Sequence, residues 1–192
     1  MKRNGFTLIE LAIALVIIGL LIGTVLKGRA MIEQAKVNRV ASDVHGIVAA
    51  VDTFQNRYGY LPSDIPSTAN ITLKNVPTSC YPANSYGYIR NNKCAWQELI
   101  SSGLVSGNIN TGTGPSSPYG NPYTFGYGNG QSGTVSGTYI QSNYIPNTTV
   151  GELDRKYDDG IYNTGDIQDY QGKYPAQGGA VNGRTTMRWW AF

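Results

Sequence analysis

One apolar run constrains this chain more than anything else in it: FTLIELAIALVIIGLLIGTVL, residues 6–26, whose single internal charge is Glu10. As a helix rising about 1.5 Å per residue it reaches about 31 Å, the thickness of a hydrocarbon core. Lys2 and Arg3 precede it, which favours a short cytoplasmic N-terminus with the bulk of the chain beyond the membrane. A carboxylate near the centre of such a segment costs roughly 3 kcal/mol, and one buried between helices needs a partner or a proton. Glu10 is therefore expected to have a partner. A secretory signal also pairs a basic start with an apolar middle, but it ends in a small-residue cleavage site. Here the run continues into KGRAMIEQAKVNRV, with no A-x-A-like site.

Beyond Leu26 the composition changes and the period does not. Val37, Val40, Ala41, Val44, Ile47, Val48, Val51, Phe54 and Tyr58 fall three and four apart, while Glu33, Arg39, Asp43, Asp52 and Gln55 take other positions. Gly59 and Pro62 then stop the helix. The pattern predicts one helix from about Thr7 to Tyr58, some 78 Å long, apolar all round in its first half and striped in its second. The stripe must be covered by residues 59–192. His45, the sole histidine, lies on the polar side and is expected in solvent.

The remainder reads as one extracellular or secreted head. Charged residues make up only 14% of the chain, and 24 Gly and 14 Tyr stand where Lys and Glu usually dominate a surface. Residues 61–192 hold as many acidic as basic groups, so nothing resembles the basic stripe that nucleic acid binding needs. Cys80 and Cys94 are the two cysteines, an even count that favours a disulfide closing a loop of about 15 residues. No companion Cys or second His supports zinc. Residues 63–94 read as a long loop stapled by that bond, and Ala95–Ile100 as a short helix ended by Gly103, with Trp96, Leu99 and Ile100 on one face. Strands are expected at 122–127 and 134–141, joined by a Gly128-Asn129-Gly130 turn, in an antiparallel sheet laid on the helix. Glu152–Gly160 reads as a short helix with Val150, Leu153 and Tyr157 inward and Arg155 and Lys156 balancing the acids, and Arg188–Phe192 as a closing strand. Asp154, Asp158, Asp159 and Asp166 lie close enough in sequence to suggest Ca²⁺, the one cofactor the residues point to. An EF-hand loop does not fit, because with Gly160 at its sixth position Arg155 and Tyr157 fall where ligands belong. A capped turn without metal is the alternative. Enzymatic function is not expected: Glu152, Asp158 and Asp159 have no His or Cys to complete a nucleophilic site.

The stretch Gly5-Phe6-Thr7-Leu8-Ile9-Glu10 resembles the processing motif of type IV prepilins and type II secretion pseudopilins. Two further stretches are similar to patterns in such proteins: Tyr58-Gly59-Tyr60-Leu61-Pro62 at the end of the first helix, and Ser117-Pro118-Tyr119-Gly120-Asn121-Pro122-Tyr123 leading into the sheet. The resemblance implies an α+β pilin fold, with a leader at residues 1–5, a membrane and filament-core half at 6–26, an amphipathic half at 27–58 and a head at 59–192. It implies that a prepilin peptidase cuts between Gly5 and Phe6 and methylates the new amine of Phe6. Glu10 of one subunit would then meet that amine on its neighbour. The chain would be a precursor in the inner membrane with a periplasmic head, drawn by an assembly platform into a homopolymeric or mixed filament, at the cell surface as a pilus or in the periplasm as a pseudopilus. Gly19 and Gly23 would serve helix packing or local unwinding. Two features depart from or narrow the pattern: no Pro interrupts residues 1–61, and the presence of Glu10 disfavours the tip-most secretion subunit. The alternatives are a secretion pseudopilin, a minor pilin or, in another class, a membrane-anchored glycan-binding module.

Overall fold

The computed structural model describes residues 7–133, 135–170, 174 and 183–190. Helix α1 (Leu8–Tyr58) runs through both the apolar and the striped stretch, as the unbroken period requires. Two compact units divide at Asn38 and Arg39. In the first, every described side chain from Thr7 to Leu26 is exposed, and Lys36 pairs with Glu33 at 2.8 Å one turn apart.

In the second unit the stripe of α1 enters a core. Val40, Ala41, Val44, Ile47, Val51 and Phe54 are buried, whereas Val48 and Tyr58 are only half-buried at its margin. Each large side chain fully buried there contributes about 1.5–3 kcal/mol relative to exposure. Gly59, at φ +80°, closes the helix by donating to the Gln55 carbonyl. Only a residue without Cβ takes that conformation cheaply.

Among the described residues, β1 (Thr124–Asn129), β2 (Ser136–Pro146), β3 (Ile167–Asp169) and β4 (Arg184–Trp190) form an antiparallel sheet in the order β1-β2-β4-β3. Phe125, Ile140, Trp189 and Ile167 lie opposite one another across the strands in one buried row, whose Trp189 ring meets His45 of α1 at 5.4 Å. On the other face the Tyr139 ring lies across β1, where a Cβ at Gly126 would meet it at 2.5 Å, so the glycine makes room for the ring. The expected strands are present but displaced by about two residues. Pairing of Gly128 with Gly137 and of Asn129 with Ser136 carries β1 through the expected turn. The reversal lies beyond β1 instead, where the Gly130 amide bonds to the Val135 carbonyl and Gly133 adopts φ +71°. A bulge between Ser142 and Ile145, with Tyr144 at φ 58°, then lets β2 continue to Pro146.

Helix α2 (Asn92–Ser101) starts three residues before the expected Ala95, because the Asn91 side chain caps it by accepting the Cys94 amide at 3.2 Å. It ends as expected at Gly103, with Gly103 and Leu104 donating to the carbonyls of Ile100 and Leu99 in a Schellman arrangement. Trp96 and Leu99 are buried and Ile100 is half-buried. Helix α3 (Asn147–Tyr157) buries Val150 and Leu153, but Tyr157, expected inward, is 41% exposed. His45 is exposed, yet not simply solvated: its ring stands edge-on to Tyr157 at 5.7 Å and to Trp189 at 5.4 Å.

Candidate functional site

The apolar run begins with a reciprocal lock. Thr7 occupies the N-cap position of α1 and Glu10 the third position of its first turn. The Glu10 amide donates to the Thr7 hydroxyl oxygen at 3.3 Å, and Glu10 Oε2 accepts from both the Thr7 amide and the Thr7 hydroxyl at 2.8 Å. This is a capping box, satisfying helix-start amides that have no intrahelical acceptor. The carboxylate also lies at the positive end of the helix dipole. The partner expected for Glu10 is thus, within one chain, its own helix start. Gly5 and Phe6 lie outside the described residues. Gly19 and Gly23 have nothing near their Cβ positions within the chain, and α1 is long and apolar enough to cross a membrane, with none of its most apolar window buried.

Cys80 and Cys94 form the expected disulfide. Val76 packs against it in a small cluster flanked by Leu73 and Tyr81, so the bond joins the long loop to the first turn of α2.

Asp154, Asp158 and Asp159 come together, each with an oxygen within 4.8 Å of the others. Asp166 is exposed and is not part of that group. The three carboxylates hold their own loop. Asp154 accepts the Gly160 amide at 2.7 Å and the Tyr174 hydroxyl at 2.6 Å. Asp158 accepts the Ile167 amide at 2.8 Å, and Asp159 accepts the Ile161 amide at 2.8 Å and the Thr164 hydroxyl at 2.5 Å. Burial, reinforced by the neighbouring charges of Asp158 and Asp159, pushes Asp154 up to about 6 against the pull of those donors. Asp158 is also raised, chiefly by burial. The set could offer oxygens to a hard cation, while amides and hydroxyls also donate to it. The same carboxylates thus serve a capped turn and present the oxygen-rich donor set that Ca²⁺ takes.

Two acids that the sequence did not single out prove structural. Asp64, 1% exposed, accepts from the Ser85 hydroxyl at 2.6 Å and from the amides of Tyr86 at 2.7 Å and Gly87 at 2.8 Å. Glu98, fully buried on α2, accepts the Ser63 amide at 2.7 Å through Oε2, while Oε1 has no hydrogen-bond partner among the described residues. Burial first, and Asp64 nearby second, push Glu98 up to about 8 against the favourable Ser63 amide. No local pattern signals either role, because the donors they accept from lie 21 to 35 residues away in the sequence.

No curated protein and no solved structure matches this chain. Residues 1–26 match the family described as the prokaryotic N-terminal methylation motif, so the chain carries the signature of type IV pilins and pseudopilins at the segment where Thr7 and Glu10 interlock.

Proposed function

We propose that the chain is a structural subunit of a type IV pilus or pilus-like filament, not a catalyst. The observation that carries this reading is the methylation motif followed by a helix whose first 19 residues have no cover within the chain, Leu8 to Leu26. An all-apolar helix must be surrounded by lipid or by other helices. A precursor anchored in the inner membrane with a periplasmic head supplies the first environment, and a bundle of sister helices in the filament the second.

Prepilin peptidase cuts between Gly5 and Phe6 and methylates Phe6. An assembly platform then draws the subunit into a homopolymer or mixed filament. During storage Glu10 caps its own helix. Both local bonds fall on Oε2, so Oε1 is the oxygen offered to the Phe6 amine of a neighbour. Opposite charges at about 4 Å attract by about 4 kcal/mol at an effective dielectric near 20. The pairing therefore sets register without requiring the monomer to hold a bare charge in oil.

The test combines mass spectrometry of the N-terminus with electron microscopy of sheared filaments from the native host. A methylated Phe6 terminus and filaments containing this chain are expected, and an intact Met1 in assembled material would overturn the reading. Cell-surface filaments or periplasmic ones distinguish a pilus from a secretion pseudopilus. Glu10→Ala should insert and be cleaved but yield few or short filaments; filaments of normal number and length would refute the pairing.

A further inference from the structure

We propose that the strip formed by Tyr86, Tyr88, Tyr127 and Arg90 is a glycan-binding platform on the head. Tyr86 is 49% and Tyr127 52% exposed. The Tyr88 and Tyr127 rings stack at 4.0 Å and 24°, joining the 85–90 loop to edge strand β1. Tyr86 follows at 6.1 Å from Tyr88, and the Arg90 guanidinium lies 4.1 Å over the Tyr86 ring. The strip is therefore a run of aromatic rings ending in a planar cation.

Its backbone is fixed before any ligand arrives. The three bonds to the buried Asp64 carboxylate seize the 85–87 turn, and Gly87 takes φ +78° there. A buried acid that orders an exposed aromatic loop lowers the entropy lost on binding, because the rings do not have to be gathered.

The chemistry of the strip selects its occupant. Its exposed rings belong to tyrosines, each combining a π face with a hydroxyl, and no exposed Leu, Ile or Val accompanies them among the described residues of the loop or β1. That disfavours a dry protein interface, whose centre is apolar and tightly packed. The head carries no basic stripe, which disfavours the phosphate-tracking groove of single-stranded nucleic acid. A pyranose ring presents a face of polarised C–H groups and a rim of hydroxyls. The electron-rich face of a tyrosine attracts the first. The fork of Arg90 and the tyrosine hydroxyls bond the second, with Arg90 also suited to a sugar carboxylate.

The experiment uses the full chain in a non-glycoside detergent, titrated with cellohexaose, chitohexaose and a galacturonate hexamer, with a thymidine 20-mer as the nucleic acid arm. Saturable binding of at least one hexasaccharide is expected, weakened about tenfold or more by Tyr127→Ala and by Arg90→Ala. Tyr144→Ala, an exposed tyrosine at the far end of β2, should bind as the parent does. Thermal melting of each variant reports its folding, and Tyr127→Phe, which keeps the ring, should retain most of the affinity. The proposal fails if no hexasaccharide binds, if binding survives Tyr127→Ala and Arg90→Ala unchanged, or if only the thymidine 20-mer binds. Because a single subunit is tested, none of these outcomes bears on filament assembly.

Discussion

At the residue scale, two carboxylates sit where composition alone would not place them. Glu98 is buried in the head with one oxygen bonded to an amide. Its folded-state value of about 8 exceeds the ordinary 4.5, and Asp154 is raised in the same direction to about 6 from 3.8. The folded chain therefore binds more protons than the unfolded one from about pH 4 to 8, and stability falls as pH rises through that window. A urea midpoint higher at pH 5.5 than at pH 8.5 is expected, and Glu98→Gln should remove most of the difference. An undiminished slope in that variant would move the cause to Asp154. Glu10 answers to a different measurement. Thr7→Val deletes the cap hydroxyl and should cost the helix start about 1 kcal/mol, read as faster amide exchange over the first turn in a bilayer nanodisc, with exchange beyond the next two turns unchanged.

At the scale of elements, the buried acids replace regular structure. Asp64→Ala removes three bonds to a carboxylate and should cost about 2–4 kcal/mol in denaturant unfolding, given about 1.5–3 kcal/mol for each such bond and partial compensation by water. The 158–167 loop is tied down by its own amides and hydroxyls, so chelator or added calcium should shift the melting temperature by less than about 1 °C; a shift of several degrees would mean that the carboxylates hold an ion. How much of this was legible depends on range. Helix α1 was readable because an apolar run long enough to span a bilayer passes without a proline into a striped stretch, 51 residues in all, and the close of α2 because Gly103 must be the left-handed residue. The displaced β1–β2 turn was not readable, since glycines at 126, 128, 130 and 133 offer several equivalent corners, and cross-strand pairing chooses among them. Strand β3 was missed because three residues buried on both faces have no period. The capping box is legible in Thr7-Leu8-Ile9-Glu10, a threonine three residues ahead of a glutamate.

At the scale of the whole molecule, the contacts divide at Asn38 and Arg39, and the second unit holds a core of its own. Residues 39–192 expressed alone in an oxidising compartment should be a soluble monomer with a cooperative unfolding transition, checked by sedimentation and circular dichroism. Aggregation of that piece would mean that the first unit contributes to the core. Periodicity and alternation located the apolar run, the covered stripe and two of the strands; they did not locate the aromatic strip, because Tyr86, Tyr88 and Tyr127 become neighbours only after β1 and the 85–90 loop meet. The Cys80–Cys94 link gives the molecule a sense of place. The segment it closes holds no strand, so the covalent link takes the place of backbone ladders there, and such a bond persists only in an oxidising compartment. A molecule that has not met an oxidant would carry that segment as a loose strap on an otherwise paired sheet.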